Sequence, residues 1–244
     1  EYKISHYRCP CCRKNVMARD AGCPNKGKFG NKVIALATLL KYEDRLPHRK
    51  IHNTLERVHG LKISPATILD LTSRAADAVR SEYDAILNKI RGAPILYVDE
   101  TSIRVQGEMH WIWTFATPSE AFFVIRKSRG MKVLLEVLTR RFRGIIVCDG
   151  WKSYAKFTKR LQRCWAHLLR ESKDLAEKFQ EAIPLHNALK ELYELLTKAL
   201  ENDPPPEIRK TLWKLAREAL RHWTLKEYAF EKVRKFIGKI NNGF

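Results

Sequence analysis

Apolar positions recur at helical spacing through the first third of the chain. Val33, Leu36, Ala37 and Leu40 share one face of a helix that starts near Asn31. Pro47 opens a second helix with Ile51, Leu55 and Val58 inward, and Gly60 stands where a C-terminal cap belongs. Ser64-Pro65 is an N-cap followed by proline at the first helical position. A long third helix is therefore predicted to about Arg91, with Ile68, Ala75, Val79, Tyr83, Ile86 and Ile90 inward. Gly92-Ala93-Pro94 then breaks the helical texture.

The middle of the chain changes period. Residues 95–98 and 145–148 are unbroken apolar runs, the pattern of buried strands, and each runs into an aspartate, Asp99 and Asp149. Between them, 101–105 alternates into a Gly107-Glu108 turn, 110–117 and 121–126 read as strands, and 131–140 reads as a helix. A basic helix is expected over 152–161. Beyond Cys164 the strands stop, and 167–180, 185–200, 208–220 and 225–240 all carry helical periods. Leu185, Leu189, Leu192, Leu196 and Leu200 form the clearest stripe, and Pro204-Pro205-Pro206 is the one rigid break.

Composition narrows what such a chain is for. Its 244 residues suffice for one large domain or two small ones with a real core. With 45% hydrophobic and 30% charged residues, it is neither a disordered nor a membrane sequence. No apolar run approaches the roughly 18 residues a spanning helix needs. The chain opens on Glu1 without an initiator Met or a secretory signal, and is expected to be part of a longer protein. Net charge is +19 and the isoelectric point is near 9.8, which predicts a polyanionic partner, most often nucleic acid. The excess is +9 over residues 1–92 and +7 over 93–163, but only +3 over 164–244. Six cysteines in a chain this long do not make a secreted disulfide scaffold, and a reducing cytoplasm fits best.

Asp99 and Asp149 are the best-placed acids. Two strands buried side by side would bring their carboxylates together, and such a pair repels unless a divalent cation lies between them. Oxygen ligands favour Mg²⁺ or Mn²⁺, which activate a nucleophile and stabilise a leaving oxygen at phosphate. Either acid alone reads equally as a solvated turn or a helix N-cap. Glu100 would point away from Asp99 on an extended backbone, as a neighbour rather than a ligand. Trp111 and Trp113 share parity and read as core. Trp151 and Tyr154, in the basic segment with Lys152, are candidates for stacking on bases or for packing on the sheet.

Cys164-Trp165-Ala166-His167 has metal-ligand residue types, but no second pair nearby completes four ligands. One helical turn puts His167 within reach of the preceding strand end, where it orients phosphate or water or is a satisfied, partly buried histidine. At the N-terminus Cys9 and Cys12 form a C-x-x-C knuckle, with Cys23 or His6 as further candidates for a Zn²⁺ site. The three helices of 31–91 suit a helix-turn-helix domain, with Arg49, Lys50, Lys62, Thr67 and Arg74 as candidate DNA contacts. An ordinary helical bundle with a solvated basic face is the alternative.

Four linked motifs carry a resemblance: Tyr97-Val98-Asp99-Glu100-Thr101; Trp111-x-Trp113; Cys148-Asp149-Gly150-Trp151-x-x-Tyr154; and Cys164-Trp165-Ala166-His167-x-x-Arg170. Together with Cys9–Cys12, Lys26-Gly27-Lys28-Phe29-Gly30 and Leu46-Pro47-His48-Arg49, they resemble the transposases of the insertion sequence 66 family. The resemblance implies an α+β or α/β fold: a mixed-sheet, ribonuclease-H-like core at 93–167, a helical DNA-binding domain at 31–92, a partial zinc ribbon at 1–30 and an all-helical insertion at 168–244. It implies a DDE-type site with Asp99 and Asp149 as the first two catalytic carboxylates, two Mg²⁺ or Mn²⁺ ions, and His167 in support. Trp151 and Lys152 would contact DNA. The implied reaction is strand cleavage and transfer at the ends of an insertion element in double-stranded DNA. A homo-oligomer assembled on DNA in a prokaryotic, nucleoid-associated setting is expected, with no membrane. The family's third acid follows an Asn-Asn motif and is expected past residue 244, since neither Glu227 nor Glu231 suits the role, and with two of three carboxylates this chain alone is expected to be weak or inactive. A non-catalytic DNA-binding remnant and a ribonuclease-H-like nuclease are the alternative functions.

Overall fold

Capping chemistry sets the helices of the N-terminal segment. In the computed structural model, which describes residues 4–18 and 28–241, α1 (Asn31–Tyr42), α2 (His48–His59) and α3 (Pro65–Ala78) follow one another as the apolar spacing predicts. Gly60 takes φ 66° and closes α2, a left-handed conformation that glycine adopts without a Cβ penalty. Ser64 caps α3 by accepting the Thr67 N–H at 3.1 Å. Ala37, Ile51, Leu55, Ile63, Ile68 and Leu71 form the buried core of these helices. Val58 is 68% exposed rather than inward, because Ile51 and Leu55 already fill that face of α2.

The single long helix expected over 65–91 is two helices. Backbone geometry departs from helical at Val79, and α4 (Arg80–Gly92) continues beyond it. Val79 is exposed as a result. The chain divides into two compact units, Glu1–Asp84 and Ala85–Phe244, so the division falls within α4. Before α1, β1 (His6–Arg8) and β2 (Asn15–Met17) form a small antiparallel hairpin. Cys23, Lys26 and Gly27 lie outside the described residues.

In the second unit, β3 (Ile95–Val105), β4 (Glu108–Ala116), β5 (Ala121–Arg126), β6 (Ile145–Cys148) and β7 (Leu161–Arg163) build one five-stranded sheet in the order β5-β4-β3-β6-β7. β4 runs antiparallel to β3 and β5, and β3, β6 and β7 are mutually parallel. Gln106 and Gly107, both at positive φ, make the two-residue turn that joins β3 to β4. The run at 95–98 and the alternating run at 101–105 are thus one strand, and Asp99 lies within it.

One face of the sheet is buried, with Leu96, Val98, Trp113, Phe115, Phe122, Val124 and Ile146 on it. α5 (Met131–Leu138) buries Val133, Leu134, Val137 and Leu138, and Tyr154 of α6 (Lys152–Phe157) meets the Trp113 ring edge-on at 6.1 Å. Ile95, Tyr97, Phe123, Ile125 and Ile145 are exposed, so these apolar runs are half-buried rather than buried on both faces. The basic helix after Asp149 also ends earlier than its sequence predicts, at Phe157. Thr158 is extended, and 161–163 pair with β6 as an edge strand.

The remaining helices are α7 (Trp165–Ala176), α8 (Ile183–Leu200), α9 (Pro206–Thr224) and α10 (Glu231–Asn241). Leu168, Leu185, Leu189, Leu220, Phe236 and Ile240 contribute to their shared core. The leucine stripe of α8 fades along its length, from a buried Leu185 to an exposed Leu200. Residues 225–230 are not helical, so Glu227 is in a loop and α10 starts at Glu231.

Candidate active site at the ends of two parallel strands

The site is built by register. β3 and β6 pair Ile95 with Ile145, Leu96 with Ile146 and Tyr97 with Val147. Asp99 and Asp149 each follow two residues beyond the last of these pairs, Asp99 within β3 and Asp149 just past the end of β6. The pleat turns Asp99 to the exposed face and Glu100 to the buried one. Asp99 Oδ1 accepts the Glu100 N–H at 3.0 Å. Asp149 Oδ1 accepts the Trp151 N–H at 2.8 Å, a local turn that fixes the carboxylate as the chain leaves the strand.

Glu100 does point away from Asp99, but it is no bystander. Its side chain is fully buried, accepting hydrogen bonds from the Tyr154 hydroxyl and, at 2.7 Å, from Arg129 Nε. Arg129 Nη2 also reaches Asp149 Oδ2 at 3.4 Å. The guanidinium lies over two indole rings, 4.8 Å from the centroid of Trp111 and 4.3 Å from that of Trp151. Arg129 is therefore a fixed cation that compensates a buried carboxylate and one of the two candidate metal ligands. Nothing in the local sequence marks this role, because Arg129 comes from the loop before α5 and meets Glu100 and Asp149 only through the fold.

Burial pushes the Glu100 carboxyl above its ordinary value, opposed by the hydrogen bonds from Tyr154 and Arg129. A raised carboxyl value means that the folded chain holds this proton more tightly than the unfolded chain. Glu100 therefore favours folding fully below the ordinary carboxylate range, and that contribution is lost as pH rises through its elevated value. Glu100→Gln is expected to flatten this decline in thermal midpoint above pH 4.5, measured by melting across pH. An unchanged slope would show that Glu100 does not carry it. Burial likewise pushes Cys148 up to about 11, which makes this thiol a packing group rather than a nucleophile.

Arg163, on β7, was not marked by the sequence either. It is buried, its Nε donates to the Lys239 carbonyl at 2.9 Å, and its guanidinium fills the space over Gly150. It thereby ties the turn after Asp149 to the last turn of α10.

The other candidates are more dispersed. His167 lies in the first turn of α7, with Nδ1 buried and unpartnered; no hydrogen bond or ion pair joins it to either aspartate among the described residues. Trp151 and Lys152 are exposed beside Asp149. In the first unit, Arg49 and Lys50 are exposed in the first turn of α2, and Lys62 is exposed in the turn before α3. Thr67 Oγ1 is 2.9 Å from Ser64 Oγ, and Arg74 pairs with Asp70 at 4.0 Å. Cys9 and Cys12 share the hairpin loop between β1 and β2. Backbone N–H groups of Cys12, with its side chain and the Cys11 N–H, draw the Cys9 thiol below its ordinary value.

Asp99 lies on the exposed face, whereas Asp149 meets Arg129 and, through it, Glu100 of the other face. A converging aspartate pair would suit a hard cation that keeps waters and takes phosphate oxygens as its remaining ligands. Among the described residues, no group of three or more His, Cys, Asp or Glu is placed to hold a metal. No helix among them is long and apolar enough to cross a membrane.

A family model described as Transposase IS66 family matches residues 26–240. No curated protein matches the chain.

Proposed function

The chain belongs to the insertion sequence 66 family of transposases, and on that premise we propose that Asp99 and Asp149 are the first two carboxylates of a DDE-type site acting on double-stranded DNA. The observation that supports this reading is the parallel β3–β6 pairing, which makes neighbours of the two strands whose apolar runs lead into Asp99 and Asp149. A mixed sheet in which β4 alone runs against the other four strands supports a ribonuclease-H-like core.

In this reading Asp99 and Asp149 hold Mg²⁺ or Mn²⁺. When bound, the metal activates the attacking oxygen and stabilises the leaving oxygen at phosphorus. Asp149 is oriented by the Trp151 N–H, and Arg129 screens the charge of Asp149 and Glu100. Trp151 and Lys152 contact the DNA strand beside the site, and His167 positions phosphate or water from α7. The helix-turn-helix-like segment α2–α3 reads DNA through Arg49, Lys50, Lys62, Thr67 and Arg74, and Cys9 and Cys12 supply part of a Zn²⁺ site. The functional division at 1–30, 31–92, 93–167 and 168–244 belongs to this proposal, as do assembly of several copies on DNA and a nucleoid location.

The test is incubation of the chain with a plasmid carrying the element's ends, with Mg²⁺ or Mn²⁺ or with chelator. Metal-dependent nicks at the ends are expected, weak where only the first two carboxylates of the site are supplied. Cutting of RNA–DNA hybrids without regard to ends would favour a nuclease. Salt-sensitive binding with no cleavage under either metal would favour a DNA-binding protein without catalysis.

A further inference from the structure

The small net charge of the helical segment conceals an uneven distribution. Elsewhere in the segment, four lysines pair with acids: Lys173 with Glu177, Lys190 with Glu194, Lys235 with Glu231 and Lys239 with Glu171. α9 differs. Lys210, Lys214, Arg217 and Arg221 recur at spacings of four, three and four, which sets them along one side of the helix. All four are exposed, and none makes an ion pair among the described residues. The buried Ala216 and Leu220 lie beside this row rather than in it.

A cavity of about 660 Å³ opens on this stripe, lined by Trp213, Lys214, Arg217 and Arg221 from α9 and by Ile240 and Asn241 from α10. Trp213 is half-exposed, and the Arg217 guanidinium lies 5.3 Å from its ring centroid. That contact holds one cation of the row in place. Glu218 is the one acid on the cavity wall, and Glu207 lies at the helix start.

A solvated helix face ordinarily alternates charge and pairs it, as α7, α8 and α10 do at several positions. Four unpaired cations in a row on a concave, tryptophan-bearing surface have a different electrostatic meaning. Eleven residues of helix span about 16 Å, a length over which each strand of a duplex presents roughly five phosphates. We infer that the Lys210–Arg221 face of α9 is a second DNA-binding surface, which grips the phosphate backbone of a duplex without reading its sequence. The inference rests on DNA being this chain's substrate, and it places a DNA contact in the part of the chain whose net charge predicts the least.

The experiment measures binding of a fluorescent duplex of arbitrary sequence across a salt series. The wild-type chain is compared with the quadruple variant Lys210→Gln, Lys214→Gln, Arg217→Gln, Arg221→Gln. All four positions are exposed, and melting curves verify that the variant folds. Each lost phosphate contact lowers the slope of log K against log salt by about 0.9. The variant is therefore expected to lose about 3 to 4 from the slope and to bind at least tenfold more weakly at low salt. Wild-type binding with an unchanged slope and affinity in the variant overturns the inference and leaves the proposed function standing. A wild-type chain that binds no duplex at any salt overturns both.

Discussion

Asp149→Asn is expected to lower metal-dependent strand cleavage by about 10³-fold while leaving the fold in place. Asparagine keeps the side-chain oxygen that accepts the Trp151 N–H, so the turn at the end of β6 survives. It removes the negative charge that would hold a cation. The loss of several kcal/mol of charge stabilisation at the reacting phosphate corresponds to that factor. Arg129 also loses a partner, but its stronger hydrogen bond, to Glu100, remains. The thermal midpoint is therefore expected to stay within about 4 °C of wild type, since a surface-level loss near 1 kcal/mol moves a chain of this size by about that much. Cleavage that persists at more than a tenth of the wild-type rate would remove Asp149 from the site.

Gly150→Ala, one residue away, is expected to act on stability instead. Gly150 has φ 92°, a conformation that strains any residue with a Cβ by about 1–3 kcal/mol. A Cβ there would also fall inside the Arg163 guanidinium. Arg163 is buried and bonded to the Lys239 carbonyl, so it cannot swing aside without breaking that charge-assisted bond, a further loss of about 1.5–3 kcal/mol. Together these costs predict a drop in thermal midpoint on the order of 10 °C. The cause is separable. In an Arg163→Ala background the clash disappears, and Gly150→Ala should then cost only the backbone strain. Equal costs in both backgrounds would contradict the packing account.

How much of this was legible depends on where each signal resides. That the two strands leading into Asp99 and Asp149 lie side by side was legible, because each acid follows an apolar run of four, the pattern of neighbouring buried strands. Ser64-Pro65 and Gly60 were equally legible, since caps are local chemistry. The Arg129 cluster was not. Its members come from β3, the loop before α5, the turn after β6 and α6, and no period or spacing links them. β7 was missed because three residues carry no period, and Leu161 extends the apparent face of α6. The break at Val79 was hidden by a spacing that continues across it. On α9 the charges were visible individually, but a regional sum of +3 averaged its unpaired row against paired charges on the neighbouring helices.

Asp99 and Asp149 are proposed to bind the catalytic cation together. The most direct test is Mn²⁺ binding followed by electron paramagnetic resonance, with duplex DNA present, in wild-type protein, each Asp→Asn variant and the double variant. Binding is expected in the wild type, at least tenfold weaker binding in either single variant, and none above background in the double. Unchanged Mn²⁺ affinity in the folded double variant would contradict this assignment.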